Sequence, residues 1–100
     1  MKVLYHATDY NNLIPILEQG LKPGCDGVVY LAETPEDALK FVCVRGYKSI
    51  VTLQVKIYKK DEDKLQETFD HNYNFFKCRA FGYNGTISPD NIEPLMKYDL

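Results

Sequence analysis

The chain has 100 residues, of which 45% are hydrophobic and 26% charged, and its formal net charge is −2. One domain of this size can bury roughly 60–70% of its unfolded surface, which supports one modest core and a shallow cleft but no second domain. The composition is that of a folded globular chain and not of a disordered one. A slightly acidic balance announces no surface for polyanions, and the only arginines are Arg45 and Arg79. The three cysteines, Cys25, Cys43 and Cys78, form no C-x-x-C pair, and with His6 and His71 the only histidines no metal site is expected. This cysteine usage fits a reducing compartment, and the expected location is cytoplasmic. No apolar run approaches a membrane span, and the opening Met1–His6 reads as a strand and not as a signal peptide.

Val3 and Tyr5 alternate with Lys2, Leu4 and His6, which predicts a first strand ending near Ala7. The polar cluster 8–12 supplies helix-capping residues, and a helix is expected from about Asn12 to Gln19. Pro15 fits that helix only in its first turn. Gly20 suits the position after its last turn, with Leu21 making the accompanying apolar contact. Residues 22–27 carry turn chemistry, and Val28–Ala32 reads as a strand. Thr34 and Pro35 then mark a helix start, with Ala38, Leu39, Phe41 and Val42 as its buried stripe and its end before Gly46.

Ser49–Ile57 has the clearest alternation in the chain, with one apolar and one largely polar face. Residues 58–77 read as a long polar stretch without periodicity, of the kind that often carries function. A strand is expected over 79–83, a hairpin-type turn at Asn84-Gly85, another short strand beginning at Ile87, and a closing strand over 92–98. The order β-α-β-α-β, followed mostly by strands, predicts an α+β domain over residues 1–100.

Three places can carry chemistry. His6, at the exit of the first strand, can present its ring to a ligand hydroxyl or pack in the strand-to-helix corner. Tyr30 can be a core or edge aromatic, or a stacking platform for a planar ring. The run Glu67–Tyr73 gathers an acid pair, an imidazole and aromatics, which suits acid–base chemistry or is simply a polar loop. Neither a P-loop, a G-x-G-x-x-G phosphate cradle nor a G-x-S-x-G nucleophile turn occurs.

The runs Leu4-Tyr5-His6-Ala7-Thr8, Asn12 to Gly24 and Val29 to Ala38 resemble the front half of the ADP-ribosyltransferase fold. That superfamily includes RNA 2′-phosphotransferases, toxin-type transferases and poly-ADP-ribose polymerases. Its pattern is a strand ending in Tyr-His-x-Thr, a helix leading to Gly-Leu-x-Pro, and a strand carrying Tyr or His before a second helix. Residues 79–96 resemble its closing segment more loosely. The resemblance implies a split antiparallel sheet with two short helices in the N-terminal half and a cleft for NAD as substrate. It makes His6 the residue that bonds the adenosine ribose, Thr8 a support for the nicotinamide side, and Tyr30 the ring that stacks on nicotinamide.

The third family motif departs from the pattern. Where many members carry a Glu, about four residues before the tyrosine matching Tyr83, this chain has Arg79. Arg79 is then a candidate NAD contact, and Glu67, Asp70 and His71 are the candidates for catalysis. The arginine-rich constellation of a phosphotransferase is missing. The resemblance leaves two expectations: transfer of ADP-ribose from NAD to an acceptor, protein favoured over nucleic acid, or binding of a nucleotide or a protein on the same fold without turnover. A monomer or a weak dimer is expected, with no membrane partner.

Overall fold

The computed structural model describes residues 1–42, 45–68 and 80–99, with Thr68 described by its backbone alone. Among these, the chain order is β1 (Lys2–Asp9), α1 (Leu13–Gln19), β2 (Val28–Ala32), α2 (Pro35–Val42), β3 (Ser49–Ile57), β4 (Leu65–Thr68), β5 (Ala80–Asn84) and β6 (Ile92–Asp99). Short 3-10 turns at Tyr10–Asn12, Lys59–Lys64 and Pro89–Asn91 precede α1, β4 and β6. The fold is α+β. Among the described residues, six strands form one antiparallel sheet in the order β4-β5-β2-β1-β3-β6. Among the same residues, no helix is long and apolar enough to cross a membrane.

Both faces of the sheet are covered near its centre. Leu4, Val29, Leu31, Val51, Leu53, Val55, Ile57, Phe81 and Tyr83 pack on one face with Ile16 of α1 and with Leu21, Ile87 and Ile92. Ala7, Ala32 and Ile50 pack on the other face against Ala38 and Val42 of α2, joined by Tyr5, Leu39, Phe41 and Tyr47. Complete burial of a leucine such as Leu31 of β2 or Leu53 of β3 is worth roughly 1.5–3 kcal/mol. Small residues, Ala7 and Ala32, sit where α2 crosses the strands and let the helix approach closely.

Local chemistry sets the element boundaries. The Thr34 hydroxyl accepts a hydrogen bond from the Asp37 N–H at 3.1 Å and starts α2 at Pro35. Pro15 lies in the first turn of α1, where no helical donor is lost. Gly20 ends α1 with φ of 87° as its N–H reaches the Ile16 carbonyl.

Four sequence expectations are corrected. β1 continues to Asp9, because Thr8 and Asp9 stay in register with Val51 and Ile50 of β3. The polar stretch after Tyr58 holds a 3-10 turn and the edge strand β4. Asn84-Gly85 closes no hairpin; Ile87 instead exchanges both backbone hydrogen bonds with Leu21, at 2.9 Å each. The second face of β3 is not simply polar, since Ile50 and Thr52 are buried, with Thr52 donating to the Met96 carbonyl at 3.3 Å.

The pairing of β1 with its two neighbours is unequal. β1 is in register with β3 along its whole length, from Lys2 opposite Ile57 to Asp9 opposite Ile50. With β2 it is in register only at Tyr5 opposite Ala32. Beyond that point the two strands part, and the sheet opens between its β4-β5-β2 and β1-β3-β6 halves.

Candidate functional site

The opening is held by a side chain. His6 follows Tyr5 on β1, and its Nδ1 lies 2.8 Å from the carbonyl oxygen of Tyr30 on β2. A carbonyl can only accept, so Nδ1 carries the proton and donates. Burial pushes the His6 pKa below its ordinary 6.5, and the Arg45 charge pushes in the same direction against the bond to Tyr30. The imidazole is therefore neutral near pH 7, and its Nε2 is a lone-pair acceptor. Among the described residues, no side chain bonds that atom.

Two hollows meet at His6, Thr8 and Lys22. The larger, about 550 Å³, lies on the α2 face of the sheet and is walled by Tyr5, Tyr30, Phe41, Arg45 and Tyr47. That volume falls within the roughly 300–1,000 Å³ of small-molecule pockets. The smaller, about 270 Å³, runs along α1 past Asn12, Pro15, Ile16 and Gln19. Thr8 stands at the junction, its hydroxyl oxygen accepting from the Asn12 side-chain amide at 3.0 Å. Its own hydroxyl proton remains available to donate.

Tyr30 is held in the larger hollow by the preceding loop. Its hydroxyl donates to Asp26 Oδ2 at 2.6 Å, while Asp26 Oδ1 accepts the Val28 N–H at 3.1 Å. These two bonds, the tyrosine's first, hold the Asp26 carboxyl below the usual carboxylate range. The loop itself is closed by the Gly27 N–H on the Gly24 carbonyl at 3.0 Å, with Gly27 at a φ of 77° that favours glycine.

The structure thus brings His6, Thr8 and Tyr30 into one cleft. Glu67 stands elsewhere. It is on β4, opposite Phe81 of β5, which in turn is opposite Leu31 of β2. Side chains in cross-strand line share a face, so Glu67 shares that of Leu31, away from the Tyr30 ring, and it lines neither hollow. Asp70, His71 and Arg79 lie outside the described residues. Among the described residues, no three His, Cys, Asp or Glu side chains gather as a metal centre would require.

Sequence reasoning did not connect Lys22, Asp26, Arg45 and Tyr47 with the cleft. The signal available was Arg45 itself, one of two arginines, placed just past the end of α2. No protein-family model matches the chain, and no curated protein matches it significantly.

Proposed function

We propose that the cleft binds NAD and that the chain transfers ADP-ribose from it to an acceptor, a protein rather than a nucleic acid, in the cytoplasm. The observation that supports this reading is the parting of β1 and β2 around the His6–Tyr30 hydrogen bond, with a hollow on either side of it. A dinucleotide has two ring-bearing arms joined by a charged bridge, and two joined hollows suit that shape. The neutral His6 accepts the adenosine-ribose hydroxyl at Nε2, and Thr8, at the junction of the hollows, supports the nicotinamide side of the ligand. The Tyr30 ring, 38% exposed, is the platform on which nicotinamide stacks. Breaking the glycosidic bond then builds positive charge at C1′ of the ribose, and holding the two fragments in place supplies much of the barrier lowering.

The position of Glu67 favours a second reading, a nucleotide-binding module without turnover, because this acid lines neither hollow. One pair of experiments separates them. NAD is titrated into labelled protein, wild type and His6→Ala, and amide shifts are followed by NMR. Shifts at residues 6–8 and 30 that vanish in the variant are expected. No shifts at millimolar NAD overturn both the transferase and the NAD-binding reading. Nicotinamide release is then followed in wild type, Glu67→Ala, Asp70→Ala and His71→Ala. Release abolished by one of these variants identifies the acid–base residue, while binding without release leaves the binding module.

A further inference from the structure

The cleft carries an excess of positive charge that the chain as a whole does not. Lys22 lines both hollows at their junction, and Arg45 lines the larger one. The single carboxylate among the described lining residues, Asp26, is committed to the Tyr30 hydroxyl and the Val28 N–H. Arg45 is exposed, and among the described residues it forms no ion pair. It lines the same hollow as His6, and its charge disfavours protonation of the imidazole. Lys22 donates one hydrogen bond to Gln19 Oε1 at 2.6 Å and keeps two further N–H donors. The bond to Gln19, on the last turn of α1, also holds the lysine's long stem at the junction.

A guanidinium in a concave site is a ready partner for phosphate oxygens, and an ammonium lining the same hollow adds a point charge. Resting on the NAD reading, we infer that Lys22 and Arg45 form an anion subsite in the larger hollow, with Lys22 at the point where it meets the smaller one, which makes a phosphate or diphosphate bridge a required part of the ligand. The bridge lies at Lys22 because, among the described residues, it is the one cation that lines both hollows. One arm then extends past Arg45 among Tyr5, Tyr30, Phe41 and Tyr47. The other extends along α1 between Asn12 and Gln19. The site selects phosphate esters of nucleosides and rejects the unphosphorylated nucleosides that share their rings.

The test measures affinities of the full chain for NAD, ADP-ribose, inorganic pyrophosphate and nicotinamide riboside, in wild type, Lys22→Gln and Arg45→Gln. Both side chains are exposed, so the fold tolerates the changes, and a melting curve for each variant verifies it. Each substitution is expected to weaken NAD and ADP-ribose about tenfold or more, as loss of a charge-assisted contact does, and to leave nicotinamide riboside unchanged. Unchanged NAD affinity in both variants overturns the subsite and leaves the NAD reading standing. ADP-ribose or pyrophosphate that binds through Arg45 while NAD does not bind overturns the NAD reading and supports the subsite. If none of the four ligands binds, both fall.

Discussion

The imidazole of His6 donates to the carbonyl of Tyr30, the residue whose ring walls the larger hollow. A continued β1–β2 ladder would give that carbonyl a backbone N–H. The side chain takes the place of the ladder and leaves the strands apart, so one contact both satisfies a backbone group and props the cleft open. The same bond fixes the tautomer of His6 and with it the acceptor at Nε2.

A pH dependence arises from the burial of His6. Its pKa is lowered in the folded chain relative to the ordinary 6.5. Above that value neither state is protonated, and His6 adds no pH dependence. As pH falls below 6.5 the unfolded chain takes up a proton that the folded chain resists, so stability declines until the folded His6 itself is protonated. Asp26 and Asp99, whose carboxyls are held below 3.8, lose their contributions only in more acid solution. Urea midpoints of wild type and His6→Gln between pH 8 and pH 5 measure the effect. The wild type is expected to lose stability across this window, and His6→Gln is expected to show a shallower slope. Parallel slopes would mean that His6 titrates normally.

The Asp26–Tyr30 pair predicts a coupled effect on binding. Asp26 aims the ring through its hydroxyl, so Tyr30→Phe and Asp26→Ala remove the same restraint. On the proposed NAD reading, each is expected to weaken NAD about threefold, the scale of one modest hydrogen bond, and the double variant no more than either alone. Isothermal calorimetry on the four proteins closes the cycle. Effects that multiply would show that the two residues act on the ligand independently.

Much of this architecture was legible in the residues, and the exceptions have physical causes. β2 and β3 were readable because Val28–Ala32 is flanked by turn chemistry and Ser49–Ile57 alternates cleanly. Leu65-Gln66-Glu67-Thr68 offers a single apolar side chain, and only pairing with β5 makes it a strand. Asn84-Gly85 has hairpin chemistry, yet Ile87 pairs with Leu21 because Gly20 permits the two backbones to approach. At the site, His6 and Tyr30 stood out by strand position. Lys22, Asp26 and Arg45 join them only through the order β5-β2-β1-β3, which sets the ends of both helices around one opening, and sequence spacing carries no trace of that order.

The start of α2 offers a test of stability that leaves the cleft residues in place. Thr34 supplies the hydroxyl that satisfies the Asp37 N–H, and the helix it starts covers Tyr5, Ala7 and Ala32. Thr34→Ala is expected to cost about 1 kcal/mol in chemical denaturation. Thr34→Ser keeps the acceptor and is expected to retain most of the stability. Equal losses in the two variants would show that the methyl group matters and the cap does not.

Among the described glycines with a positive φ, Gly20 is the one where an added side chain would meet another backbone. Its φ of 87° lies in a region that side chains rarely adopt, and a Cβ there would collide with the carbonyl oxygen of Ile87. That carbonyl accepts the Leu21 N–H, while the Ile87 N–H returns a bond to the Leu21 carbonyl. Relieving the collision therefore pulls on the bridge that ties the end of α1 to the segment before β6. Leu21 and Ile87 are both core residues, 4% and 2% exposed, so the displacement spreads into the core. Gly20→Ala is expected to destabilise the fold by about 3 kcal/mol or more, combining backbone strain with lost packing. Gly27, with a φ of 77° but open space around it, serves as the control, since Gly27→Ala carries the strain without the collision. Urea unfolding of the two variants measures the difference, and equal costs would show that the close approach to Ile87 contributes nothing.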